Sequence, residues 1–283
     1  MTWQIYTVIT VLGLSVSVLL QRVLLHKNKT DPVAYSALFQ LITALIITVF
    51  AIYKGISFEG FASIWLVALM CVLFFGVGTV VYAKTLQYVE ASAFSVLFAT
   101  QAIWIMVLGI LLFNESITIL QIIGSLLIFV SVLVLIKNIK ALTLDKGTLY
   151  GLLTGLLYGI AITCTAYVGR HMDTLTWAAL GFYGSAFVSL MVRPSAIYKM
   201  KPMLKGEVLT RLLLLGVFYA IGSVAMLYAY KYGTLTLVSP LRQTGIIVTV
   251  ILALLFLKPE RNRIMRKIAA ALVCFVGVVL IVI

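Results

Sequence analysis

Apolar runs of 18 or more residues recur down this chain, separated by short polar or Gly/Pro-containing stretches. Reading the runs against those interruptions predicts ten helical spans, at about 3–25, 33–53, 62–87, 92–113, 118–136, 147–168, 174–192, 209–230, 235–257 and 265–283. At about 1.5 Å of rise per residue, such helices cross a hydrocarbon core about 30 Å thick. Most connections are as short as NESI after Phe113 or KYGT after Tyr230, which makes successive helices antiparallel neighbours in a compact bundle. Two polar connections are longer, KNIKALTLDKG from Lys137 and RPSAIYKMKPMLKGEV from Arg193. The opening MTWQIYTV lacks the basic region and cleavage site of a signal peptide, so the first run is expected to be a retained span.

Composition narrows the class. Of 283 residues, 63% are apolar and only 10% charged, whereas about a quarter of a soluble domain is charged. The expected fold class is an all-α integral membrane protein with no soluble catalytic domain. A net charge of +13 could suggest nucleic acid, but the placement of the basic residues argues for membrane topology instead. Only Lys54, Arg170 and Lys231 fall in even-numbered connections, and every other basic residue except Arg242 falls in odd-numbered ones or their flanks. Cytoplasmic loops carry the excess of Lys and Arg. The odd connections are therefore expected in the cytoplasm, with both termini extracytoplasmic, in a multi-pass protein of the plasma (inner) membrane.

The second half of the chain repeats the first. Ser92 and Ser95 find Thr236 and Ser239 about 144 residues on, Glu115 finds Glu260 at about 145, and Arg22 and Arg170 lie about 148 apart. Each half holds five spans, an odd number, so halves 1–141 and 142–283 must face opposite ways. Two inverted five-helix repeats are a transporter architecture.

Each half also contains a small-residue-rich helix and a tight acidic turn, LLFNE to Glu115 and LLFLKPE to Glu260. An apolar closing helix with a small-residue track follows, IIGSLL in one half and KIAAAL in the other. In these features nearly the whole chain resembles the EamA-type members of the drug/metabolite transporter superfamily. The resemblance implies ten helices around a central cavity, with spans four and nine at the core. It also implies small-metabolite transport, within a superfamily that ranges over amino acids, sugar phosphates, nucleotide sugars and amphipathic cations. Two departures stand out. Members often carry a proline midway along span four, where this chain has Thr100, Gln101 and Ala102, and only span nine retains one, Pro240. The four-span multidrug relatives rely on a glutamate in the first span, which here runs VITVLGLSVSVLLQ from Val8 to Gln21 without a carboxylate.

All eight acids lie in connections or at span ends, which disfavours an antiporter driven by a carboxylate at membrane depth. His26 and His171 fall on predicted opposite sides, and Cys71, Cys164 and Cys274 sit in apolar runs without metal-type spacing. No metal site, cofactor or enzymatic chemistry is expected.

The charge inside a span is Arg242, in LTLVSPLRQTGIIVTVILALLFL over 235–257, roughly 10 Å from the segment's first residue. Snorkelling to outer headgroups would stretch the side chain to its limit. Facing a cavity, its planar fork would suit a carboxylate or phosphate. Pro240 frees the carbonyl of Thr236, so a kink, a guanidinium and the Gln243 amide fall within four residues. In span four, Gln101 is too polar for lipid and should face the interior. Trp104, three residues on, shares its helical face and could stack on a solute. Lys84, as a second cation near the cytoplasmic mouth unless it snorkels, and the mid-span hydroxyls of Tyr158 and Tyr183 complete the candidate set. Gly151, Gly155 and Gly159 place small residues on one face of span six and permit close helix contact.

These readings converge on a secondary carrier of a small anionic or zwitterionic metabolite, such as an amino acid or a phosphorylated solute, working by alternating access at a central cavity. No nucleotide-binding loop is present in the sequence, so a gradient or exchange must supply the energy. The alternatives are efflux of cationic or aromatic amphipaths, and a non-transporting scaffold or lipid flippase subunit whose basic cytoplasmic face holds anionic lipid. The expected partners are a small-molecule substrate and the lipid bilayer, with a homodimer left open and no nucleic acid.

Overall fold

The computed structural model describes residues 2–27, 30–113, 118–135, 145–232, 242, 244–256 and 264–283. Among them there is helix and no strand: α1 (Thr2–Lys27), α2 (Pro32–Lys54), α3 (Phe61–Tyr88), α4 (Ala91–Phe98), α5 (Gln101–Phe113) and α6 (Ile119–Leu135). Then follow α7 (Lys146–His171), α8 (Thr174–Val192), the single-turn α9 (Ile197–Met200), α10 (Gly206–Tyr232), α11 (Gly245–Phe256) and α12 (Ile264–Val282). Six of these, α1, α2, α3, α7, α8 and α10, are long and apolar enough to cross a membrane. Large apolar side chains such as Leu45, Val49 and Phe50 of α2 and Leu66, Leu69 and Leu73 of α3 face outward. So much exposed apolar surface calls for lipid rather than water around it. The protein is a multi-pass membrane protein.

Three of the acids at span ends are helix caps. The Asp31 carboxylate accepts from the amides of Val33 at 3.1 Å and Ala34 at 3.2 Å, ahead of Pro32 in the first turn of α2. Asp145 and Asp173 accept from Thr148 and Thr176, at 2.7 and 2.9 Å, at the starts of α7 and α8. Each satisfies a backbone N–H that has no partner within its helix. Glu115 and Glu260, the paired turn glutamates, lie outside the described residues.

Span four departs from the sequence expectation. It is not one helix over 92–113, because α4 stops at Phe98 and α5 begins at Gln101.

The helices pack in a definite set of pairs. The main ones are α3 with α7, α1 with α10, α2 with α8 and α6 with α12, followed by α3 with α8, α2 with α10, α5 with α7, α1 with α11 and α4 with α11. Gly277 lets α12 close on α6, since a Cβ there would lie 2.6 Å from the Gly124 carbonyl oxygen. Connections of like parity meet. Asp31 pairs with Arg193 and Lys199, and Glu90 with Lys267. At the other end the Ser57 amide donates to Thr176, and the Lys54 ammonium lies 3.3 Å from the Tyr228 hydroxyl. This is the pattern that helices crossing in alternation produce.

Candidate functional site

The break in span four contains no proline and is seated against a neighbouring helix. The amides of Ala102 and Ile103 reach back three residues, to Ala99 and Thr100, at 3.0 Å each. This tightens the chain as a 3-10 turn does. The Thr100 hydroxyl closes on the Leu97 carbonyl at 2.7 Å. Gly155 of α7 lies against this turn, where a Cβ would stand 2.2 Å from Thr100 Oγ1 and 3.2 Å from the Gln101 amide nitrogen. Gly151 and Gly159 accept Leu97 and Trp104 in the same way, at 2.7 and 2.6 Å. The glycine stripe expected to permit close helix contact thus seats the broken segment.

A cavity opens beside the break in two lobes of about 90 and about 150 Å³. Gln101 and Arg242 line both lobes, with Leu14, Val18 and Phe98. The larger lobe is walled by aromatic rings, among them Phe39, Phe75, Tyr82, Tyr158, Trp177 and Tyr219. Among the described residues, Arg242 is the only charged one lining either lobe.

Several other polar groups of the larger lobe are already paired. Tyr158 and Thr79 hydroxyls lie 3.1 Å apart, the Gln40 amide donates to Ser189 at 2.9 Å, Cys71 Sγ and Thr165 Oγ1 lie 2.9 Å apart, and Tyr82 accepts from Gln21 at 3.4 Å. Two atoms are not. Gln101 Oε1 and Arg242 Nε are buried with no hydrogen-bond partner among the described residues. One is an acceptor and the other a donor, and the Gln101 amide can turn to offer its nitrogen instead. The third such atom is the Tyr35 hydroxyl, which belongs to a residue outside the cavity lining.

The structure therefore brings Arg242, Gln101 and Tyr158 together and leaves three candidates elsewhere. Trp104, 37% exposed, packs on Gly159 rather than on the cavity. Lys84 stays out of the lining, its ammonium 5.7 Å from the centre of the Tyr150 ring. Tyr183 pairs with Thr48 at 3.2 Å outside the lining. Pro240 and Gln243 lie outside the described residues. Arg242 Nε is buried, while the residue as a whole is half-buried. Sequence reasoning missed Phe39, Phe75, Tyr82, Trp177 and Tyr219. The signal was the same as for Tyr158, an aromatic ring within a span.

A bundle of bilayer-length helices with a cavity at an interrupted helix is the architecture of a membrane carrier. Residues 1–137 and 145–283 match the EamA-like transporter family, and the chain belongs to it. It is thus a membrane transporter of the drug/metabolite type. An uncharacterised protein of Methanocaldococcus jannaschii is 26% identical over 138 residues, which is 97% of that protein and 49% of this chain. The crystal structure of another protein shares the fold, with a TM-score of 0.65 at 16% identity over 98% of this chain and 96% of that one.

Proposed function

We propose that this chain is a secondary carrier which binds a small anionic or zwitterionic metabolite between Gln101 and Arg242. It moves that solute across the plasma membrane by rocking two inverted five-helix halves, 1–141 and 142–283, with both termini outside the cell. The observation that carries this reading is the pair of buried, unpaired atoms of opposite kind on one cavity. A guanidinium in an apolar chamber without a carboxylate is costly unless an anion reaches it. A carboxylate suits its planar fork, and the aromatic walls suit an apolar body attached to that carboxylate. Efflux of cations is disfavoured by the same charge.

The helix pairs support inverted halves. Exchanging α1 with α7, α2 with α8, α3 with α10, α4 and α5 with α11, and α6 with α12 turns α3–α7 into α10–α1, α3–α8 into α10–α2, and α5–α7 into α11–α1. The pairs α2–α8, α6–α12 and α4–α11 map onto themselves. The first residues of α5 and α11, Gln101 and Gly245, are 144 positions apart, which is the offset of the sequence repeat. A relative that is matched over nearly its whole length by about half of this chain also supports a half as a unit.

The test is uptake into proteoliposomes across a panel of carboxylates, phosphorylated solutes and cations, with parent protein and Arg242→Gln. Loss confined to the anionic or zwitterionic solutes is expected. Cation flux that survives the substitution, with no anion flux in the parent, would sink the proposal.

A further inference from the structure

The connection between α8 and α10 is ordered as a strap: a 3-10 turn over Pro194–Ala196, then α9, then a second 3-10 turn over Lys201–Leu204. It joins the ends of two helices long enough to cross the bilayer, so it lies at a membrane surface. Ala196, Met200 and Met203 are buried and hold the strap against α2 and α10. Their spacing of four and three residues defines one face of a helical path.

The remaining positions look outward. Ile197, Tyr198 and Leu204 are exposed, Tyr198 to 82%, and Lys199, Lys201 and Lys205 are exposed between and beside them. Acids near the strap are already engaged. Asp31 is held by Arg193 and Lys199, and Glu207 by Arg211 one turn along α10. Lys201 and Lys205 have no ion-pair partner among the described residues. Apolar and aromatic side chains interleaved with lysines, on a segment anchored at the membrane surface, are the chemistry of an interfacial helix on anionic lipid.

We infer that the strap Pro194–Leu204, with Lys205 beside it, docks anionic phospholipid headgroups of the adjoining leaflet. Lys201 and Lys205 face the phosphates, and Ile197, Tyr198 and Leu204 insert at the level of the acyl boundary. This surface is independent of the solute taken by the cavity.

Native mass spectrometry and thermal unfolding of the full chain in detergent test it, with phosphatidylglycerol, phosphatidylcholine or glycerol phosphate added. Phosphatidylglycerol is expected to be retained and to raise the melting temperature, and phosphatidylcholine and glycerol phosphate to do neither. The double variant Lys201→Gln/Lys205→Gln leaves the Asp31 pair intact and should weaken phosphatidylglycerol binding by roughly tenfold or more. Ile197→Ser/Tyr198→Ser should weaken it as well, and Lys231→Gln at the opposite face should not. Parent-like retention by the lysine variant overturns the inference. So does equal retention of phosphatidylcholine, or stabilisation by glycerol phosphate equal to that by the lipid, which would mark a site for soluble anions.

Discussion

Gln101 and Arg242 come from the two halves of the chain, line the same two lobes, and each buries a polar atom that nothing in the described protein satisfies. An unsatisfied buried acceptor costs about 1–3 kcal/mol. Gln101→Leu removes it, so the ligand-free protein is expected to melt at the parent temperature or a few degrees higher while solute binding weakens. Thermal unfolding in detergent without solute checks this. A clear drop would mean that Gln101 holds the bundle together instead.

At Gly155 a single methyl should do damage, because it would meet Thr100 Oγ1 at 2.2 Å. Gly155→Ala is expected to cost about 1–3 kcal/mol by overpacking and to lower transport by shifting the turn that carries Gln101. Gly169, with no atom within 4 Å of its added Cβ, is the control, and Gly169→Ala should change neither. Equal effects at the two positions would remove the glycine groove from the explanation.

The Asp31 ion pairs predict an acid limb. Burial alone would push this carboxyl up, but the Ala34 amide with Lys199 and Arg193 outweighs it and holds the group below its ordinary 3.8. A depressed carboxylate stabilises the fold fully at neutral pH and loses that contribution as pH falls through its folded value, here below about 3.8. Asp31→Asn keeps an oxygen for the cap and loses the charge, at an expected cost of about 0.5–1 kcal/mol at pH 7. The gap in melting temperature between parent and variant should close below about pH 3.8. A gap that stays constant with pH would assign the effect to the cap.

Opposite sidedness of odd and even connections is expected from the meeting of connections of like parity. Single cysteines placed at Lys201 and Lys231, in a chain whose native cysteines are replaced, should label from opposite sides in intact cells. Lys201 is expected to be inside. Labelling of both from one side would break the alternation.

The bundle was largely legible in the sequence because lipid imposes a simple rule: backbone must be helical, and cations collect on one side. Arg242 was legible for the same reason, as a charge at a depth where charge is costly. The break at Ala99–Thr100 was not, because the room it needs is left by Gly155, more than fifty residues away in α7. A proline would have announced it locally, but a glycine on another helix does not. Trp104 departs from its expected place through a second glycine of α7. Its spacing from Gln101 suggested a shared cavity face, but Gly159 receives the side chain's Cβ instead. Tyr158 and Tyr183 read alike in sequence, and only the packing of α3 on α7 distinguishes the one that reaches the cavity.

The central claim is that Gln101 and Arg242 hold one solute jointly, and a double-mutant cycle on binding measures that directly. Calorimetric affinities of a transported carboxylate for the parent, Gln101→Leu, Arg242→Gln and the double variant give the coupling between the two positions. Each single substitution is expected to weaken binding at least about tenfold, with a coupling of roughly 0.5–3 kcal/mol, as contacts sharing one partner show. Additive losses, or an Arg242→Gln protein that binds the carboxylate as tightly as the parent, would contradict the account.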